Sequence, residues 1–87
     1  MLEKIAKKYL ETDKKSGKLF LLAVLMEEIG EVAEAVRKGD KKAIEEELAD
    51  ATFVIFCLAN MFEVNLEDKI IEKYLIGDPS KNWDLPD

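Results

Sequence analysis

The sequence predicts an all-α protein: an antiparallel helical hairpin with two shorter helices, assembling as an oligomer into a multi-helix bundle. Apolar residues recur at three- and four-residue spacings along most of the chain, the period of a helix with one buried face. No segment shows the alternation of a half-buried strand, and no internal repeat or low-complexity tract breaks the pattern. Residues 1–87 read as a single domain.

The first helix is expected over about residues 2–11, where Leu2, Ile5, Ala6, Tyr9 and Leu10 share a face, with a polar turn from Thr12 to Gly17 after it. Ser16 is placed to cap a second helix over about 17–38. Arg37 and Lys38 suit the negative end of that helix, and Gly39 the left-handed position beyond it. Asp40 is the expected N-cap of a third helix, about 40–62. A turn this short folds two long helices back on one another. Asn65, followed by Glu67 and Asp68, opens a fourth helix over about 66–76, stopped by Gly77, Asp78 and Pro79. Residues 78–87 read as an irregular tail.

Within the hairpin, Leu22, Leu25, Ile29, Val32 and Val36 are expected to meet Ile44, Leu48, Ala51, Ile55, Leu58 and Phe62 in one seam. Leu19 to Met26 and most of Ala51 to Phe62 are apolar on every side, more than two short helices can cover. A lone domain of this size buries only about 60% of its unfolded surface. A homodimer or homotetramer is therefore predicted.

Composition narrows the partners. Nineteen acidic residues against thirteen basic ones leave a net charge of -6, which opposes binding to duplex nucleic acid. Cys57, the one cysteine, lies in an apolar run, cannot form an internal disulfide and reads as a small buried hydrophobe. The longest near-apolar run, Ala51 to Phe62, falls short of the ~20 residues of a membrane span. With no signal peptide at the start, a cytoplasmic protein is expected.

A second stripe on the two long helices carries the chemistry. Phe20, Val24, Glu28, Glu31 and Ala35 share one face of the second helix, and Ala43, Glu47, Asp50, Val54 and Met61 one face of the third. With Gly39 as pivot, Glu28 and Asp50 each lie eleven residues away, and Glu31 and Glu47 each lie eight away. The four acids therefore meet at matching heights. Carboxylates that interrupt apolar stripes are costly unless something pairs with them. Ordinary surface acids in this chain have basic neighbours one turn away: Glu34 has Arg37 and Lys38, Glu45 has Lys41 and Lys42, Glu46 has Lys42. None of Glu28, Glu31, Glu47 or Asp50 has a basic residue three or four positions away. A divalent cation is the expected partner of all four.

These are hard oxygen donors in a chain without histidine, which favours Mg2+, with Mn2+ as a substitute, over zinc. Magnesium binds well where carboxylates meet substrate phosphates, so the expected substrate is a phosphate ester or anhydride. One of the four acids, or Glu27 beside them, would accept the proton of the attacking water.

The run Glu27-Glu28-Ile29-Gly30-Glu31, followed after a short turn by Glu46-Glu47-Leu48-Ala49-Asp50, resembles the EExxE and ExxD signature of MazG-like nucleotide pyrophosphohydrolases. The resemblance covers about residues 19–74. It implies an all-α, oligomeric enzyme that cleaves nucleoside triphosphates to monophosphate and pyrophosphate with magnesium. It puts the metal ligands on Glu28, Glu31, Glu47 and Asp50. Family members also contact phosphate with basic residues after the last acidic motif, for which Lys69 and Lys73, or Lys81 and Asn82, are the counterparts here. The Tyr-His pair of the related phosphoribosyl-ATP pyrophosphohydrolases is absent, which argues against that role. Phe20, Tyr9, Phe53 and Trp83 are candidates for stacking on a nucleobase. The alternatives are a non-catalytic dimerisation or regulatory module holding a structural cation, and a pyrophosphohydrolase of another phosphoanhydride metabolite.

Overall fold

The computed structural model describes residues 2–77. Four helices follow in order, α1 (Leu2–Ser16), α2 (Lys18–Lys38), α3 (Lys41–Met61) and α4 (Leu66–Ile70), and α4 runs on into a π-helical turn, Ile71–Ile76. α2 and α3 form the hairpin, and α1 lies chiefly against α3. Among the described residues, no helix is long and apolar enough to cross a membrane.

The turn residues do what their chemistry dictates. Gly39 sits at φ 72°, a left-handed position that costs a residue with a Cβ, and its N–H reaches back to the carbonyls of Ala35 and Val36. Asp40 caps α3, its Oδ1 accepting from the N–H of Lys42 and Ala43. The Asn65 side chain accepts from the Asp68 N–H and opens α4.

Two boundaries differ from the sequence reading. α1 does not stop at residue 11 in a polar turn but continues to Ser16. Ser16 does not cap α2: its hydroxyl donates to the Thr12 carbonyl, one turn back in α1. The break is a single residue, Gly17, at φ 87° and ψ 147°, a conformation open to glycine. Tertiary contacts extend α1 past its apolar stripe. Asp13 is only 3% exposed. The Asn60 amide on α3 donates to its Oδ2 at 3.0 Å and to the Ala6 carbonyl at 2.6 Å. Nearby, Lys14 pairs with Glu63 at 2.8 Å. The fourth helix, expected as one α-helix over 66–76, widens halfway along, and the Gly77 N–H closes its last turn on the Glu72 carbonyl five residues back.

The seam between α2 and α3 is rotated from the expected one. Leu21 and Ala35 of α2 and Ala51, Val54 and Cys57 of α3 are buried, with Val24, Leu25, Val32, Ile44 and Leu58 half-buried around them. Leu22, Ile29, Val36, Leu48, Ile55 and Phe62 are instead exposed. α1 packs beside α3, and small Ala35 and Ala51 let the hairpin close along the line next to the acid stripe. One apolar surface of the hairpin is thereby left open.

Candidate metal centre

The turn at Gly39 and Asp40 sets the register that brings the acid pairs together. One carboxylate oxygen from each of Glu28 on α2 and Glu47 and Asp50 on α3 can be chosen so that all three lie within 4.8 Å of one another. Glu31, one turn beyond Glu28 on α2, is not one of these three but is their neighbour, interacting with both Glu28 and Glu47. The four residues selected from the sequence are thus neighbours. Glu28 and Glu47 are half-buried, while Glu31 and Asp50 are exposed.

The electrostatics report an unsatisfied site. The hydrogen bond with Glu31, then burial, then the charges of Glu31, Asp50 and Glu28 push the Glu47 carboxyl from 4.5 up to about 7. Burial first, then the charges of Glu31 and Asp50, raise Glu28 as well. Oε2 of Glu28 and Oε2 of Glu47 are both buried without a hydrogen-bond partner among the described residues. Buried polar atoms are nearly always partnered, so two orphaned carboxylate oxygens in one acidic cluster point to a cation between them. The donor set, all oxygen and without nitrogen or sulfur, fits Mg2+ or Mn2+.

Glu34 behaves in the opposite way. Arg37 at 2.7 Å and Lys38 at 3.3 Å hold its carboxyl below the usual range, as the spacing predicted. The pairs expected of Glu45 and Glu46 with Lys41 and Lys42 do not form.

The other candidates lie elsewhere. Lys69 pairs with Glu72 at 3.0 Å, and the Lys73 ammonium stands 5.7 Å from the centre of the Tyr74 ring. Neither is among the charges that shift Glu28 or Glu47. Tyr9 and Phe53 meet edge to face, ring centres 4.9 Å apart, while Phe20 is exposed. Lys81, Asn82 and Trp83 lie outside the described residues. The sequence reading missed the Asp13–Asn60 link, which is structural; its signal was an asparagine in the middle of an apolar run.

Comparison with known proteins agrees with the geometry. The uncharacterized protein YpjD of Bacillus subtilis (strain 168) is 37% identical over 76 residues, covering 72% of this chain and 68% of that one. No solved structure matches. Residues 16–79, which include all four acids, match the family model of the MazG nucleotide pyrophosphohydrolase domain, and the chain belongs to that family.

Proposed function

We propose that the chain hydrolyses nucleoside triphosphates to the monophosphate and pyrophosphate, with Mg2+, or Mn2+ in its place, held by Glu28, Glu31, Glu47 and Asp50. The observation that carries this reading is the pair of buried, unpartnered oxygens of Glu28 and Glu47, which with Asp50 can bring three carboxylate oxygens within 4.8 Å of one another and have Glu31 as a neighbour. Such a cluster is a poor resting place for an anion and a good one for a cation that an anion must then approach. When bound, divalent cations would supply neutralisation of the polyphosphate and a water acidic enough to attack phosphorus.

The residues divide the remaining work. Glu28 and Glu47, fixed on facing helices, hold the buried side of the ligand set, and exposed Glu31 and Asp50 hold the side open to substrate. Attack at the α-phosphorus breaks its bond to the bridging oxygen, and pyrophosphate leaves with the bond's electron pair. One of the four acids, or Glu27, exposed and next to Glu28 in the chain, accepts the proton of the attacking water.

The test is a panel of common and modified nucleoside triphosphates, each incubated with magnesium or with a chelator, the products separated by chromatography. Monophosphate and pyrophosphate in equal amounts, only where magnesium is present, are expected. No turnover across the panel would remove the enzymatic reading and leave a cation-holding interaction module. Turnover confined to a diphosphate-linked metabolite would keep the hydrolase and replace its substrate.

A further inference from the structure

Charge is divided unevenly along the chain. α1 carries five lysines against Glu3, Glu11 and Asp13, a balance of +2. α2 has three basic against four acidic residues, α3 two against four, and the fourth helix with its π-helical turn two against three, so these come to -1, -2 and -1. Among the described residues α1 is therefore the one helix that is net positive, in a chain of net charge -6. The lysines are also arranged. At about 100° per residue, Lys4, Lys8 and Lys15 fall within about 40° of one another round α1, on the side away from Asp13, which faces α3. All three are exposed, and the row they make runs for about 16 Å. Exposed Lys7 flanks the row, and Glu11 is the one acid within it. Lys4 and Lys15 have no ion-pair partner among the described residues, and Lys8 has the Tyr9 ring, its ammonium 5.3 Å from the ring centre.

Like charges held in a row repel one another and are stabilised by an anion. Three observations decide which anion. A lipid surface is disfavoured, because the described side chains of α1 include no exposed large apolar residue to sink into it. A nucleic acid is disfavoured, because a strand longer than the row runs on over helices of negative charge. The row also lies beside the helix that carries Glu47 and Asp50: Tyr9, next to Lys8, meets Phe53, which stands one turn beyond Asp50 on α3. A short polyanion fits all three, and a nucleoside triphosphate is about as long as the row. We propose that the lysine face of α1 is a capture site for the polyphosphate of a nucleotide, held by the row of Lys4, Lys8 and Lys15 on its way to the acid cluster. The identity of the anion rests on the hydrolase reading; the anion site itself does not. Such a face also answers a difficulty of that reading, since a chain of net charge -6 otherwise repels the substrate it would act on.

The probe is inorganic tripolyphosphate, added with chelator to the full 87-residue protein and followed by the amide resonances of an isotope-labelled sample. The largest shifts are expected on α1, and the apparent Kd should rise by about 10-fold or more as salt goes from about 20 to about 200 mM. Lys4→Gln, Lys8→Gln and Lys15→Gln together should weaken binding by about 10-fold or more with helical circular dichroism unchanged, while Lys4→Arg, Lys8→Arg and Lys15→Arg together should keep it. In the magnesium assay the glutamine variant should lose kcat/KM with little change in kcat. Binding that leaves α1 unshifted, or that survives the three glutamines, overturns the proposal. So does a single-stranded oligonucleotide of about 12 residues, or a vesicle of phosphatidylglycerol, that binds more than about 10-fold tighter than tripolyphosphate, because the face then serves a larger partner. The two readings fail separately. Tripolyphosphate on the lysines without turnover of any nucleotide removes the hydrolase and keeps the anion site, and turnover indifferent to the lysines does the reverse.

Discussion

The protein holds acids at two of the contacts α3 makes, and the two places are built in opposite ways. Asp13, between α1 and α3, is almost sealed from solvent, yet it accepts from the Asn60 amide and from the Cys57 thiol. Glu28 and Glu47, between α2 and α3, are less buried but have other carboxylates for neighbours and an oxygen apiece with no donor. Burial alone therefore does not mark a functional acid. Asp13 is satisfied from within the chain and ties two helices together; Glu28 and Glu47 each keep an oxygen that no described residue satisfies.

The largest test of that contrast is catalytic. Glu31→Gln and Asp50→Asn are expected to lower turnover in the magnesium assay by more than about 100-fold while the protein stays folded, since each removes a proposed ligand. Near wild-type turnover in either variant would strike that residue from the ligand set.

A smaller effect, of opposite sign at the two places, is expected in stability without metal. Asn60→Ala takes the amide donor from the Asp13 carboxylate and should cost about 1–3 kcal/mol in denaturant unfolding. Glu47→Gln removes a charge that its surroundings disfavour and should raise the unfolding midpoint of the metal-free protein. If both variants were destabilised alike, the distinction between a satisfied and an unsatisfied acid would fail.

The pH dependence follows with its own sign. Because Glu47 titrates near 7 when folded against 4.5 ordinarily, the folded state holds its proton more tightly than the unfolded state. Metal-free stability should be undiminished by this group below pH 4.5 and decline as pH rises from there to about 7, and Glu28 adds to the same trend. On the proposed ligation magnesium binds the deprotonated acids, so the rise in melting temperature on adding it should be larger at pH 8 than at pH 5. An equal rise at both would count against carboxylate ligation by this cluster.

The mildest expectation concerns Cys57. Burial, then its hydrogen bond to Asp13, push the thiol up to about 12, so a thiol reagent at pH 8 should label the native protein slowly and the unfolded protein fast. Rapid native labelling would show that the α1–α3 contact opens readily.

Much of this was legible in the sequence. Gly39, Asp40 and Asn65 are short-range signals, each acting within a few residues of its own backbone, and each does what its side chain predicts. The acid cluster was legible because it needs only helical period and the position of one turn. The extent of α1 was not, since it depends on Asn60, more than forty residues away, reaching Asp13. The seam was misplaced for a related reason. α2 and α3 have two apolar faces wide enough to pack, and periodicity does not say which of them the hairpin closes on. Choosing between them takes α1, which sits on one side only. The π-helical turn after Ile70 carried no signal that spacing could reveal.

The connector at Gly39 and Asp40 has a consequence for how the chain tolerates changes in length. Adding one residue in helical conformation between this turn and Glu47 would swing the rest of α3 by about 100° and slide it about 1.5 Å, carrying Glu47 and Asp50 out of line with Glu28 and Glu31. Adding seven would nearly restore their direction but shift them by about 10.5 Å along the axis. No helical insertion there recovers both phase and height, so the spacing between the turn and Glu47 is as much a part of the acid cluster as the carboxylates themselves.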